Sequence, residues 1–431
     1  MRARTRDQED YFLARRRLGG LVSSLTYAAT TYSAFMMIGL VGLTYSTGVG
    51  ALGFELLYLV GTLFLLRYYA PRIWELSRKE KIVSPSELIS LKHGRNSGRL
   101  SAVISLFALI PYTSVQLIGV ALLLNRFGVP FHTGIILTGF IVALWGLLGG
   151  MRGIAWTDAF QGGIMLFSAL ALVSWVHLHL GGSLFIGTEE KILEVPNEFW
   201  TPVKFISLAT PWFFFSLTNP QVLQRVFVPK NKLALGRMIV LFGSFGLVYT
   251  VLVTLLGLEL RFLTENGVFP KILDRDLVTP TLLGLVPEWL LIAVSLSIVA
   301  AAITTANSIV LTLSSMLSRD VLGEKRRVVV GKMGIVGLTI MVMAFASKRP
   351  DYIVELAVLS STILLCQLPS ILGTIHLKKT GKHSSIFSMI SGFLTSTLMA
   401  IYSLNPLGIP YSVWTLLISL SVYLLLLRLE R

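Results

Sequence analysis

The chain reads as an all-α polytopic membrane protein with about twelve transmembrane helices, and three observations lead there. Its residues are 54% hydrophobic and only 14% charged, whereas a soluble domain carries about 25% charge. Apolar windows of about 20 residues, long enough to cross the hydrocarbon of a bilayer, begin near residues 20, 49, 100, 133, 157, 205, 238, 288, 329, 352, 386 and 410. The basic residues are asymmetric: with the N-terminus in the cytoplasm, 29 of the 37 Lys and Arg fall at cytoplasmic ends of these spans and 8 outside, as the positive-inside rule requires. The net charge of +15 is therefore a set of topology signals meeting anionic lipid, not a nucleic-acid surface.

Residues 1–19 form a cytoplasmic segment, MRARTRDQEDYFLARRRLG, charged almost throughout and running straight into span 1; no cleavable signal peptide is expected. Span 1 is a poor membrane helix, because Ser23, Ser24, Thr26, Thr30, Thr31 and Ser33 crowd its centre. Span 5 opens within GGMRGIAWTDAFQGGIM, residues 149–165, and carries Asp158. A carboxylate in hydrocarbon costs roughly 2.5 to 3.5 kcal/mol and faces a protein interior or an ion path; the structural alternative is an acid at a helix start, where Thr157 and Asp158 are both favoured. His177 and His179, near the outer end of span 5, diverge around the helix and do not make a metal site. The outer connections, about 182–203 and 262–287, are acidic and Pro-containing, suited to short surface helices or to plain loops.

Span 6 holds PWFFFSLTNPQVLQR, where Pro220 removes a backbone donor and frees carbonyls. Interruptions at matching positions of two halves point to a central binding site. Its aromatic run, Trp212 to Phe215, serves as a binding wall or as packing. Span 8 contains AAITTANSIVLTLSSMLSRD, residues 301–320. Ala301, Thr304, Thr305 and Ser308 share one helical face. Hydroxyls and carbonyls suit a small hard cation, although Ser and Thr in membrane helices also bond the carbonyl four residues back. The single cysteine, Cys366, excludes an intrachain disulfide.

Gly149, Gly150, Arg152, Thr157, Asp158 and Gln161 together resemble a signature of the sodium/solute symporter family. Span 8, with Thr304-Thr305, Ser314-Ser315 and Arg319-Asp320, resembles a second, NPQVLQR a third, and DYFLARRRLGG the family's lead into its first core helix, before which many members carry one more helix. The resemblance implies a LeuT-like fold: a first five-helix repeat at 20–181, an outer loop at 182–203, an inverted second repeat at 204–377, and two additional helices at 378–431. It implies a sodium site made by the hydroxyls of Thr304 and Thr305 and the carbonyls of Ala301, Ala29 and Tyr32. The family more often has serine at the first hydroxyl position, which bears on affinity and not on the ligand atom. Asp158 would lie along the inner sodium path, and Gln224 and Arg225 would pair or cap at the cytoplasmic surface.

For the solute, the same frame points to Thr31, Ser33, Met36, Trp212, Phe215 and Asn219. Thr31 stands where proline-type members carry an acid. The pocket is read as weakly polar and partly aromatic, favouring an amino acid or organic acid over a sugar. The expected activity is sodium-coupled import by alternating access across the plasma membrane, with both termini cytoplasmic and sodium the only metal. A solute sensor would need a signalling partner, a proton-coupled carrier a titratable group at the ion site, and an enzyme a reactive cluster that the spans lack. Oligomeric state leaves no mark on the sequence.

Overall fold

The computed structural model describes residues 7–181, 192–323, 327–378 and 380–430. Among them the chain is helical, and its one strand-like pairing is an isolated bridge between Leu18 and Pro229. A short helix α1 (Gln8–Leu13), N-capped by Asp7, buries Tyr11, Phe12 and Leu13. Helix α2 (Gly20–Thr31) stops at Tyr32, where φ is −88° and ψ 104°. A π-turn, Phe35–Leu40, then leads into α3 (Val41–Thr47), and the two halves are bent by 50°. The hydroxyl-rich first span is thus a broken helix.

Next come α4 (Gly50–Lys79) and α5 (Pro85–His93), the latter opened by a capping box between Ser84 and Glu87. Helix α6 (Arg95–Arg126) precedes α7 (Phe131–His179), whose 49 residues kink at Gly150 (φ 53°, ψ −172°). Only glycine fits there: the positive φ disfavours a side chain, and a Cβ would sit 2.9 Å from the Tyr11 carbonyl oxygen.

The second interruption divides 202–226 into α8 (Pro202–Phe213), α9 (Phe215–Thr218) and α10 (Pro220–Val226). Helix α11 (Lys232–Glu265) follows, then a tight turn, Arg275–Leu277, with α12 (Val278–Leu282) on the outer connection. Helix α13 (Glu288–Met316) ends in a π-turn, Leu317–Val321. The remaining helices are α14 (Val328–Ala346), α15 (Ile353–Leu364), α16 (Leu368–His376), α17 (Lys382–Ile401) and α18 (Tyr411–Leu429). Helix α13 packs against α2, α6, α7, α10 and α14, so its hydroxyl face meets both broken helices. The last two helices pair with each other, and Glu430 seats them by accepting from His383 N and Ser384 N at 2.8 and 3.1 Å.

By length and apolarity nine helices among the described residues qualify as spans, or ten with the bent pair α2 and α3, against the twelve expected. The difference has two physical causes. Helix α7 runs on through its kink and merges two expected spans, and the 202–226 segment is cut into pieces too short to qualify. Short helices do sit on the second outer connection; residues 182–191 of the first lie outside the described residues.

Candidate functional site

The break in the first span creates the first part of the site. The final helical bond of α2 runs from Tyr32 N to Ala28 O at 2.7 Å, so the next carbonyl, Ala29, is left to side chains, as at any helix end. Helix α13 supplies them. Thr305 Oγ1 donates to Ala29 O at 2.8 Å, and Thr304 Oγ1 donates to Ala301 O at 2.9 Å while lying 3.5 Å from Ala29 O. Four of the five predicted sodium ligands therefore converge in one buried cluster of neutral oxygens. The fifth, Tyr32, stands at the break, where its extended ψ turns its carbonyl out of the helical ladder. The outer half is seated from above: Thr279 Oγ1 donates to Met37 O, and the fully buried Asp276 accepts from Ile353 N at 3.2 Å and from Arg349 at 3.4 Å.

A charged layer lies one turn further along α2 and α13. Asp158 is fully buried and accepts from Thr26 Oγ1 at 2.5 Å; its Oδ1 has no partner among the described residues. Thr30 Oγ1 donates to Ser308 Oγ at 3.1 Å, and Arg225 Nη2 donates to the same hydroxyl. The Arg225 guanidinium is also the charge that attracts Asp158. Arg225 is fully buried, which corrects the expectation that it caps the cytoplasmic surface. Gln224 is equally internal: its amide donates to Val83 O at 2.9 Å and Ser315 Oγ at 3.2 Å, and its carbonyl accepts from Thr312 Oγ1 at 2.7 Å. Arg225 Nη1 also lies 3.0 Å from Met151 Sδ.

The aromatic residues of α8 and α9 gather around a group the sequence reading missed. Glu55 of α4 is 2% exposed and accepts from Trp212 Nε1 at 3.2 Å. The Trp212 ring lies 5.4 Å from Phe35, 5.5 Å from Phe54 and 5.4 Å from Phe215, and Tyr58 is 5.5 Å from Phe215. The region expected to be weakly polar thus holds a buried carboxyl group bonded to an aromatic cluster. Its signal was in the sequence, a lone acid in the apolar run ALGFELLYLVG, and intramembrane acids are functional suspects.

Of the other predicted solute residues, Thr31 spends its hydroxyl on Tyr27 O at 2.9 Å, and Ser33 Oγ accepts from Phe35 N at 3.2 Å. Met36 is buried in the π-turn, while its neighbour Phe35 is the one that meets Trp212. Asn219 donates to Thr218 Oγ1 at 3.4 Å and Ser361 Oγ at 3.5 Å, leaving its own side-chain carbonyl oxygen without a partner among the described residues. His177 faces Glu259 at 3.0 Å and His179 stacks on Trp175, so the two histidines do diverge.

Comparison with known proteins gives the family and the fold. The sequence model of the sodium:solute symporter family matches residues 11–392. The chain is 26% identical over 421 residues to the high-affinity proline transporter PutP of Bacillus subtilis (strain 168), covering 92% of this chain and 88% of that protein. It is also 26% identical over 438 residues to the sodium/pantothenate symporter of Escherichia coli (strain K12), covering 96% and 89%. Among solved structures, the substrate-bound outward-open state of a Na+-coupled sialic acid symporter superposes with a TM-score of 0.84 at 17% identity, covering 99% of this chain and 92% of that one. That likeness establishes a LeuT-type fold.

Proposed function

The chain belongs to the sodium:solute symporter family, multi-pass membrane carriers that move a small organic solute with sodium, and from that premise we propose how its own residues do so. Sodium is held by the hydroxyls of Thr304 and Thr305 and the carbonyls of Ala29, Tyr32 and Ala301. Its binding replaces the direct contact between Thr305 and Ala29 with an ion bridge and so fixes the bend between α2 and α3. Asp158 draws the ion toward the inner side, and the nearby Arg225 offsets the carboxylate's charge as the ion leaves. Residues 20–181 and 204–377 act as two inverted halves that rock about this site, with 378–431 appended and both termini in the cytoplasm below the plasma membrane.

The solute carries a cationic nitrogen. Glu55 is a buried carboxyl group whose only partner among the described residues is the Trp212 indole, and such a group carries its charge at low cost only beside an opposite charge. The surrounding rings present their faces to a cation, worth about 2 kcal/mol when desolvated. An amino acid meets both demands better than a simple organic acid or a sugar. One sodium ion moving down about 100 mV gains roughly 2.3 kcal/mol, and a tenfold gradient adds about 1.4. At one-to-one coupling a neutral zwitterion would then accumulate roughly 500-fold.

The observation that carries this reading is the 2.8 Å link from Thr305 Oγ1 to Ala29 O, which ties an ion-ligating pair to the break in the first span. Thermal unfolding of the purified protein in NaCl against KCl at equal ionic strength tests it, first alone and then with neutral amino acids and with simple organic acids. Sodium-specific stabilisation that amino acids increase is the expected result. Equal stability in both salts would overturn the ion site, and a response to organic acids alone would overturn the role of Glu55.

A further inference from the structure

A groove on the membrane-facing side of the bundle, remote from the transport path, has the form of a lipid site. It lies between α6, the inner end of α13 and α14, encloses about 480 Å³, and is lined by apolar groups that include Phe107, Ile110, Leu322, Met333 and Met341. Phe107, Leu322 and Met333 are 61, 60 and 70% exposed. The groove exists because α14 carries glycine on two sides. Gly331 and Gly334 let α14 close onto α13, with Ser314 Oγ donating to Gly331 O at 2.5 Å, whereas a Cβ on Gly337 would meet nothing within 4 Å.

Two arginines stand beyond one end of the groove, outside its apolar lining. Arg95 and Arg99 begin α6 on the side where the basic residues concentrate. Arg99 Nε donates to Asp320 O at 3.3 Å, beside Leu317 and Leu322 of the lining. Arg95 reaches the adjacent Gly323, where its Nη2 would lie 2.4 Å from a Cβ, and it has no hydrogen-bond or ionic partner among the described residues. Apolar walls and two guanidinium groups just beyond them are complementary to one molecule, a phospholipid with an anionic headgroup. Basic pockets between helices on this side of a membrane hold such headgroups.

We propose that this groove binds an anionic phospholipid, one acyl chain lying along Gly337 and its phosphate on Arg95 and Arg99. The lipid joins α6, α14 and the end of α13, a helix that also carries Thr304 and Thr305, so it stabilises the bundle without touching sodium or solute. Full-length protein in nanodiscs of phosphatidylcholine, with or without phosphatidylglycerol, tests this by thermal unfolding and by mass spectrometry of retained lipid. Phosphatidylglycerol should raise the unfolding temperature and be retained selectively. Arg95→Gln should weaken its occupancy roughly fivefold and Arg95→Lys should restore it, while Gly337→Leu, at a position where a Cβ meets nothing within 4 Å, should remove lipid with both arginines intact. Sodium-dependent stabilisation should be the same in every variant. A phosphatidylglycerol effect that survives Arg95→Gln and Gly337→Leu would be general to the bilayer and would overturn the site, as would retained phosphatidylcholine in equal amount. A dimer that Gly337→Leu dissociates would assign the groove to a second copy instead.

Discussion

The first and sixth spans break in almost the same conformation for different reasons. Tyr32 has φ −88° and ψ 104°, and Asn219 has φ −88° and ψ 109°. Asn219 precedes Pro220, whose ring pushes the preceding residue out of the helical region, so that break is written into the covalent chain. No proline or glycine lies between Thr31 and Ala34. The bend there is held by neighbours: Thr305 on Ala29 O, Thr279 on Met37 O, and Ser33 Oγ on Phe35 N. A break made by contacts responds to whatever joins those contacts, whereas one made by proline is a fixed frame. The half that changes with sodium should therefore be the first span, and the half that stays should be the sixth.

The largest effect should come from Thr305→Ala. It removes one hydroxyl from the first break and leaves the helix intact, since alanine is the better helix former. A ligand at one hundred times its Kd stabilises the native state by about 2.7 kcal/mol; in the variant this sodium-dependent gain should vanish with sodium-dependent uptake, while unfolding in KCl stays cooperative. Full sodium-driven uptake by Thr305→Ala would break the comparison at its base. Glu55→Gln should rank next. The amide still accepts from Trp212 but loses the charge, and a hydrogen bond to a charged group is worth about 1.5 to 3 kcal/mol. Solute affinity should fall by roughly ten- to a hundredfold, with the sodium response unchanged; a matching loss of sodium stabilisation would merge two sites that the structure keeps apart.

How much of this was open to sequence reading depends on the range of the forces involved. Spans follow from hydropathy because each must satisfy its backbone alone in lipid. The hydroxyl face of α13 was legible because helical spacing is local. The burial of Arg225 was not, since an arginine after an apolar run looks like a topology signal, and the groups it meets, Met151 Sδ and Ser308 Oγ, lie 74 and 83 residues away in the chain. Gly150 was read as part of a motif and not as a kink, because its partner is Tyr11, whose hydroxyl also donates to Gly146 O at 2.6 Å. Glu55 was visible and passed over, since its meaning depends on rings brought by α8, α9 and the π-turn after α2.

A more modest effect separates the two breaks directly. Pro220→Ala removes the ring that fixes Asn219 but stands at the first position of α10, where a helix needs no bond from its amide, so sodium affinity should stay within roughly threefold and stability within about 1 kcal/mol. Hydrogen exchange gives the contrast in one experiment: in wild type sodium should slow exchange at residues 33–36 and leave 221–224 unchanged, whereas Pro220→Ala should speed exchange at 221–224 and leave the sodium effect at 33–36 in place. Protection of both segments to the same degree would mean that the sixth span is as conditional as the first.

The smallest effect should come from pH at the outer seat of the first break. Burial first, opposed by Arg349 and by the bond from Ile353 N, pushes the Asp276 carboxyl up to about 6. Its folded value therefore lies above the unfolded value of about 3.9. A group raised in this way contributes its full stability below the unfolded value and loses it as pH rises through the folded one. Between about pH 4 and pH 6 the ionising carboxylate should thus loosen the contacts of 275–282 with α3 and α15, and the unfolding temperature should drift down by a few degrees. In Asp276→Asn the drift should flatten, because the amide can accept from Ile353 N at every pH. The accompanying change in exchange should appear at residues 33–36, which this outer element helps to seat, and not at 221–224. If the drift persists in Asp276→Asn, or appears equally at both breaks, then the bend of the first span does not depend on this seat, and the hydroxyls of α13 must hold it alone.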